Sequence, residues 1–213
     1  MIQKSIIIDM LKWRYAVKKF DISKKLTDEK LAVLKEAFNL TPTSYGLQPI
    51  RLVVVKDKLL KQDLQKFAFD QPQISTSSHL LVVSAQTDFG EKDIDRFVDL
   101  NIEAMPDKKE HFMKYGELLK SRFKAKSKTE ILQWAKDQAF IALGNLINTC
   151  AIEKIDACPM SGFEPQEFDR LLGLKEYGLT SVVLLPIGYR AKDDRHQFDP
   201  KVRRPLTEMV IDI

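Results

Sequence analysis

The sequence is poor in cysteine, histidine and glycine, and it has no long uninterrupted hydrophobic run. Its two cysteines, Cys150 and Cys158, lack the C-x-x-C spacing, and its three histidines are scattered, so no metal site is predicted. Two buried thiols in a reducing compartment are favoured over a disulfide. The isoleucine run before Asp9 is too short for a signal peptide or a membrane span. We therefore expect a cytoplasmic protein without a membrane partner.

The composition and charge argue against disorder and against a nucleic-acid partner. Of the 213 residues, 44% are hydrophobic and 30% are charged, and no repeat or linker divides the chain. We therefore predict a single domain over residues 1–213. The net charge of +4 suits a phosphate-bearing ligand better than a nucleic-acid backbone. The densest basic stretch, residues 120–128, has no nucleic-acid-reading motif beside it.

Apolar residues at helical spacing predict several helices. One spans about residues 3–12 and leads into Arg14, and Thr27 is the predicted N-cap of the next. Residues 91–149 are mostly helical by the same criterion. Their last part, 131–149, is apolar on almost all sides, which predicts a buried central helix.

Three apolar runs rich in β-branched residues, at 50–56, 79–85 and 180–188, predict central strands buried on both faces. Because helices alternate with these strands, we expect a sheet with helices on both sides, a three-layer arrangement. The tail, residues 206–213, is strand-like and has no partner next to it in sequence. Such a tail is expected to pair with the sheet of a second subunit.

No glycine-rich nucleotide motif is present, because the eight glycines form neither G-x-G-x-x-G nor a Walker sequence. Any phosphate must then be held by cationic side chains and by backbone from separated segments. Four segments are candidates for this role. They are Arg14-Tyr-Ala-Val-Lys-Lys-Phe-Asp21, Thr41-Pro-Thr-Ser-Tyr-Gly-Leu-Gln-Pro49, Cys158-Pro-Met-Ser-Gly-Phe163 and Pro200-Lys-Val-Arg-Arg-Pro205.

Together and in this order, the four segments resemble the FMN-dependent nitroreductase family, in the branch of oxygen-insensitive NAD(P)H nitroreductases and flavin reductases. Further agreement comes from residues 70–73, 134–138, 144–145 and 173–178. The resemblance covers nearly the whole chain. It implies an α+β, three-layer α-β-α fold with a mostly antiparallel central sheet, in a homodimer that exchanges its C-terminal strands. It also implies FMN as cofactor and NADH or NADPH as hydride donor.

The resemblance assigns the charged groups to the two ends of the flavin. Arg14, Lys201 and Arg203 are expected to hold the FMN phosphate. Lys18 is expected beside the pyrimidine end of the ring, near N1 and the C2 carbonyl. An ammonium at that place would stabilise the reduced flavin, which is anionic near N1 at neutral pH.

Other positions match the family through polar or backbone contacts. Asp70 and Gln73 are expected at the polar edge of the flavin and its ribityl chain, and residues 159–162 are expected to aim backbone N–H groups at N5 and O4. Thr43, Ser44 and Gln138 match positions that reach the flavin from the dimer partner or the central helix. The full predicted cofactor-binding set is Arg14, Tyr15, Ala16, Lys18, Thr43, Ser44, Asp70, Gln73, Gln138, Pro159, Met160, Ser161, Gly162, Lys201 and Arg203.

Four positions depart from the pattern of the family. Ala16 stands where Ser is common, Asp70 and Gly46 stand where Asn is common, and Ser161 stands where Glu is frequent. Carboxylates near the ring disfavour the reduced anion, so these differences are expected to alter the flavin potential and the acceptor pocket.

No protein nucleophile or dedicated acid–base group is predicted, because the flavin itself would carry the hydride. We expect a ping-pong reaction in which NAD(P)H and then a small aromatic or quinone acceptor use the same flavin face. Residues 91–128 are expected to form a helical excursion over the active site, where Phe112 and Phe123 are candidate substrate contacts. Core packing of amphipathic helices is the alternative role for both phenylalanines.

Two other classes of function fit the same residues. The chain could be a non-catalytic FMN-binding carrier or sensor, whose flavin NADH and NADPH do not bleach. It could also be a flavin-free structural or interaction protein, because a fold does not fix a function.

Overall fold

The computed structural model describes residues 4–213, in which helices surround one antiparallel sheet. The α-helices are α1 (Lys4–Trp13), α2 (Asp28–Asn39), α3 (Lys58–Lys66), α4 (Gln73–Thr76), α5 (Glu91–Ala104), α6 (Lys109–Lys124), α7 (Lys128–Ile152), α8 (Pro165–Leu171) and α9 (Leu206–Met209). Short 3-10 helices span Ser44–Gly46, Pro106–Lys108, Leu174–Tyr177 and Arg195–Phe198. The strands are β1 (Ile50–Val55), β2 (His79–Gln86), β3 (Asp156–Ala157) and β4 (Leu179–Gly188).

The strand order is β1-β2-β4-β3, and every neighbouring pair is antiparallel, which confirms the predicted sheet type. The prediction that all three long strands are central is wrong for β1. This strand lies at the sheet edge, with Arg51 exposed and residues 52–54 only partly buried. Its apolar composition suits a half-covered edge as well as a central position, so composition alone does not separate the two.

The two faces of the sheet are covered by different helices, which confirms the three layers. On β2, Leu81 and Val83 pack on one side with residues of α2 and α7. Leu80 and Val82 point to the other side, toward α3, α4 and α8. This alternation follows the two-residue period of a strand, and each buried aliphatic side chain contributes roughly 1.5–3 kcal/mol by leaving water.

The predicted N-cap and the predicted central helix are both found, with one correction to the helix. The Thr27 side chain accepts a hydrogen bond from the backbone of Lys30 and so begins α2, as predicted. Helix α7 packs on the sheet through residues such as Leu146. It is not buried all round, because Phe140 and Ile141 are 50% and 46% exposed. Their face of the helix points away from the sheet.

The stretch predicted as an excursion contains α5 and α6, which pack on an aromatic cluster shared with Phe89 and with α7. Phe123 packs against Phe89 and Trp134, with ring centroids 5.3 and 4.8 Å away. The two helices approach closely where Gly116 faces Val98, since a Cβ added to the glycine would lie 2.6 Å from Val98 Cγ2.

The tail differs from its predicted strand. Leu206–Met209 form a helical turn, and only at Val210 does the backbone become extended. A strand needs a neighbour for its N–H and C=O groups, and the tail pairs with no strand within the described part of its own chain. Strand exchange with a second subunit stays a prediction.

Candidate functional site

Residues from the two ends of the described chain line one cavity of about 270 Å³. Four of them are cationic side chains, and they come from the segment after α1 and the segment after the last 3-10 helix. The lining residues are Arg14, Tyr15, Ala16, Lys18, His196, Asp199, Pro200, Lys201, Val202 and Arg203. The structure thus brings together the three residues predicted for phosphate and the lysine predicted for the flavin ring.

Backbone pairing at the sheet edge holds the amino-terminal half of this cavity. Ala16 forms a parallel bridge with Ala157 of β3, and Val17 donates its N–H to the Ala157 carbonyl at 3.4 Å. Farther on, the Asp21 N–H bonds to the Tyr189 carbonyl at 2.8 Å. Residues 16–21 therefore run alongside the strand ends, which fixes the backbone that carries Lys18.

The cationic groups repel one another. Burial lowers the pKa of Arg14, and the nearby Arg203 guanidinium lowers it further. Burial likewise lowers the pKa of Lys201, with added repulsion from Arg14, Arg203 and Arg190. Among the described residues, none of Arg14, Lys18, Lys201 and Arg203 forms an ion pair with a carboxylate. An anion entering the cavity would relieve this repulsion.

Tyr15 and Asp199 line the cavity but are already engaged within the chain. The Tyr15 hydroxyl donates to Asp194 Oδ2 at 2.9 Å, and its ring lies 4.6 Å from the Arg190 guanidinium carbon. Burial and the bond to Asp194 raise the Tyr15 pKa, so the hydroxyl stays protonated. The Asp199 carboxylate lies 2.8 Å from His196 Nδ1.

A second polar group of atoms lies around Gln73 and Cys158. Gln73 is 4% exposed, and its Oε1 has no hydrogen-bond partner among the described residues. Burial raises the pKa of the Cys158 thiol, while Lys18 and a hydrogen bond with Gln73 act in the opposite direction. The Cys158 thiol is thus under the electrostatic influence of Lys18 and lies beside Gln73, both of which are ring-binding candidates.

The predicted donors in residues 159–162 are only partly free. Pro159 has no N–H, and the Met160 N–H bonds to the Leu184 carbonyl at 2.9 Å, so neither can serve a ligand as predicted. The backbone N–H groups of Ser161 and Gly162 have no protein acceptor within the described residues. Two donors therefore remain in this segment.

The loop that carries Asp70 lies against the same segment. Gln71 Nε2 donates to the Gly162 carbonyl at 3.1 Å, and the Phe69 ring lies beside Gly162. Phe69 and Asp70 both have φ near +53°, a left-handed conformation that costs energy for residues other than glycine. The Asp70 side chain is exposed at this bend.

Thr43, Ser44 and Gln138 form a separate group that does not line the cationic cavity of the same chain. The Ser44 N–H donates to Gln138 Oε1 at 2.8 Å, and Gln138 Nε2 donates to the Trp134 carbonyl at 3.0 Å. Thr43 Oγ1 accepts from the Gln48 N–H. Within one chain these side chains hold the loop before β1, and contact with the flavin of a partner stays a prediction.

Phe112 and Phe123 are buried in the excursion at 9% and 5% exposure. Phe123 belongs to the aromatic cluster with Phe89 and Trp134. Neither phenylalanine lines the cationic cavity, so the alternative role of core packing describes them in this structure. Contact with a substrate stays a prediction for both.

Comparison with known proteins decides the family. The model of the nitroreductase family matches residues 11–189, which include both the sheet and the amino-terminal half of the cationic cavity. The chain belongs to the nitroreductase family. It is 32% identical to YfkO of Bacillus subtilis, with 97% of each chain covered. It is 29% identical to the oxygen-insensitive NAD(P)H nitroreductase of Salmonella typhimurium, over 97% of this chain and 99% of the relative.

Solved structures show the same fold at lower identity. A nitroreductase-like protein from Streptococcus mutans superposes with a TM-score of 0.84 and 22% identity, covering 97% of both chains. A structure from Exiguobacterium sibiricum, determined in complex with FMN, gives a TM-score of 0.81 at 20% identity and also covers 97% of both chains. None of the described helices of this family member is long and apolar enough to cross a lipid bilayer.

Sequence reasoning missed Asp194, as it missed His196 and Asp199, which line the cavity. Asp194 is buried beside the cationic cavity, and although burial raises its pKa, hydrogen bonds from the Lys18 backbone, the Tyr15 hydroxyl and the Lys19 backbone lower it overall. In sequence it stands in Lys192-Asp-Asp-Arg195, which is typical of an exposed charged turn. The buried, bonded carboxylate is visible only once residues 15–19 lie beside it.

Proposed function

We propose that this nitroreductase binds FMN and transfers hydride from NADH or NADPH to small conjugated acceptors such as nitroaromatics or quinones. The observation that carries the proposal is the convergence of Arg14, Lys18, Lys201 and Arg203 on one cavity from distant parts of the chain. A relative named as an oxygen-insensitive NAD(P)H nitroreductase and a neighbouring fold solved with FMN support the choice of donor and cofactor.

The phosphate end of FMN fits the cationic cavity. Arg14, Lys201 and Arg203 would supply charge-assisted hydrogen bonds to a dianionic phosphate, each worth roughly 1.5–3 kcal/mol before solvent exposure reduces it. The mutual repulsion that lowers the pKa of Arg14 and Lys201 would turn into attraction toward that anion. Ala16 has no hydroxyl group, so phosphate binding would depend on the cationic side chains and on backbone groups.

The ring end of FMN fits two sets of polar atoms, those around Gln73 and those of residues 161–162. The unpartnered Gln73 Oε1 is an acceptor, which suits the ring N3–H. The free N–H groups of Ser161 and Gly162 are donors, which suit N5 and O4. Asp70, at the exposed bend beside Gly162, would face the polar edge of the ring or the ribityl chain.

Bound FMN would supply two-electron chemistry, taking hydride from the nicotinamide and giving it to the acceptor in two half-reactions of a ping-pong cycle. The chain would contribute charge and orientation. The Lys18 ammonium would stabilise negative charge near N1, and Ser161 places no carboxylate in its segment to oppose that charge. No side chain is assigned a covalent or acid–base step.

We infer that two copies form a homodimer through an apolar surface made by α1, α7 and the tail. Its exposed members are Ile6, Ile7, Ile8 and Leu11 of α1, Phe140, Ile141 and Ile152 of α7, and Leu206, Met209, Val210, Ile211 and Ile213 of the tail. Monomeric proteins rarely leave so many large apolar side chains in water. In such a dimer, Thr43, Ser44 and Gln138 could approach the partner's flavin.

The direct test is to release and identify the chromophore of the purified protein, then follow its anaerobic reduction by NADH and by NADPH. We expect FMN, bleached by at least one nicotinamide and reoxidised by a quinone or nitroaromatic compound. A yellow protein whose flavin neither nicotinamide reduces would instead identify a carrier or sensor. Colourless protein that FMN does not stabilise against heat would contradict flavin binding.

The phosphate assignment predicts the effect of replacing Lys201 and Arg203 together by alanine. We expect FMN affinity to fall about 100-fold, because two charge-assisted contacts are lost, and the protein to be purified colourless. Flavin fluorescence quenching measures the affinity. The matched control is Lys192→Ala with Arg204→Ala, which removes the same charge outside the cavity lining. Full flavin content in the Lys201/Arg203 variant would contradict the assignment.

A further inference from the structure

A buried carboxylate connects the two chain segments that carry the cationic residues. Asp194 is 3% exposed, and both of its oxygens accept hydrogen bonds. Oδ2 accepts from the Tyr15 hydroxyl and the Lys18 N–H, each at 2.9 Å, and from the Lys19 N–H at 3.2 Å. Oδ1 accepts from the His196 N–H at 3.2 Å. Four donors from both ends of the described chain thus converge on one side chain.

The positions of these donors determine what the carboxylate holds. Tyr15 lies between Arg14 and Lys18 in sequence, so its fixation orients the amino-terminal cations. On the other side, the His196 backbone begins the segment that continues to Lys201 and Arg203. Asp194 therefore fixes the distance between the two halves of the cavity.

The hydrogen bonds of Asp194 do not engage the cationic side chains of the cavity. Asp194 accepts from backbone N–H groups and one hydroxyl, and none of its hydrogen bonds comes from a cationic side chain. Its neighbour Asp193 is different, because it is exposed and pairs with the Lys19 ammonium. A carboxylate that is hydrogen-bonded to backbone N–H groups offsets the repulsion between the two cationic segments. It does so without engaging the side chains that would bind a phosphate.

We infer that Asp194 is a positioning residue for phosphate recognition: it holds residues 15–19 against residues 196–203 so that their cations act on one phosphate. The inference rests on the proposed binding of FMN. Asp194 itself does not line the cavity. Its removal should weaken recognition of the phosphate more than recognition of the ring.

The test compares FMN with riboflavin, which has the same ring and no phosphate. In Asp194→Asn the amide presents an N–H either to His196 or to the other three donors, so at least one donor loses its acceptor. We expect FMN affinity to fall about tenfold or more and riboflavin affinity to change less than about threefold. Quenching of flavin fluorescence gives both constants, and Asp193→Asn serves as the matched control with both constants unchanged.

The outcomes separate the inference from the function on which it rests. Equal losses for both flavins in Asp194→Asn, or none for either, would show a role in folding alone and overturn the inference. If Asp194→Asn does not fold, Tyr15→Phe removes one of the four hydrogen bonds. It should lower the FMN-to-riboflavin preference in the same direction by a smaller factor, and an unchanged preference overturns the inference. Failure of the wild-type protein to bind either flavin would instead refute the proposed function.

Discussion

His79 begins β2 in a buried, cationic environment that keeps its ring neutral. Burial lowers its pKa to about 4, and the ammonium groups of Lys56, Lys61 and Lys25 act in the same direction. The ring Nδ1 lies 3.0 Å from Ser78 Oγ, which gives the neutral ring a partner. The histidine thus belongs to the fold rather than to the flavin site.

This environment predicts acid sensitivity. An unfolded histidine takes up a proton below about pH 6.5, whereas the folded one resists down to about pH 4, so stability falls as the pH drops through that window. Between about pH 7 and pH 5, His79 should account for a loss of about 2 kcal/mol in the free energy of unfolding. Urea titrations at both pH values measure it.

His79→Gln provides the comparison, because glutamine keeps a polar partner for Ser78 but does not titrate. The variant should lose less stability than the wild-type protein over the same pH interval. Equal losses in the two proteins would show that His79 is not the group responsible.

The neighbouring pair Asp193 and Asp194 shows the limit of sequence reasoning for single residues. Nothing local separates the exposed acid from the buried one, since the donors to Asp194 lie up to 179 positions away. Arg14, Lys201 and Arg203 were predicted because the resemblance supplied their common role. The blocked Met160 N–H was not, because its partner Leu184 belongs to a distant strand.

Helix packing in the excursion depends on Gly116. An alanine there would gain about 1 kcal/mol of helix propensity but would overlap Val98, and such overpacking costs about 1–3 kcal/mol. We expect Gly116→Ala to lower the free energy of unfolding by about 1 kcal/mol, measured by urea denaturation. Ser121→Ala, at an exposed position of the same helix, should cause no loss. A Gly116→Ala variant as stable as the wild type would mean that α5 can move away freely.

The type of each helix or strand was easier to predict than the elements that lie beside it. Thr27 and the helical period located α2, and the β-branched runs located β1, β2 and β4, because these signals are local. The edge position of β1 and the exposed Phe140 and Ile141 of α7 depend on what lies beside each element. An apolar face indicates that another surface will cover it. It does not indicate whether that surface belongs to the same chain or to another one.

The exposed apolar surface of α1, α7 and the tail predicts the oligomeric state of the molecule. Replacing Phe140 and Ile141 together by glutamate should convert a dimer to a monomer, because two desolvated charges would oppose the contact. Light scattering coupled to size-exclusion chromatography measures the mass. Leu59→Glu, an exposed position on α3, is the control and should leave the mass unchanged. A dimeric Phe140/Ile141 variant would place the subunit contact elsewhere.

The tail shows why assembly is the least predictable level. Its apolar composition predicted a strand, but Leu206–Met209 form a helical turn. The conformation of such a segment depends on its local propensity and on the geometry of its partner. The sequence of one chain gives only the local propensity. The three layers could be predicted more fully, because the helices that cover the sheet belong to the same chain.

The cationic cavity takes its lining from residues 14–18 and 196–203, which lie on opposite sides of the sheet in the sequence. During translation the first segment is made before β1 and the second after β4. Contacts from both segments to one phosphate therefore cannot form until the residues of the sheet have all been synthesised. Any stability that the growing sheet needs before that point must come from its own packing.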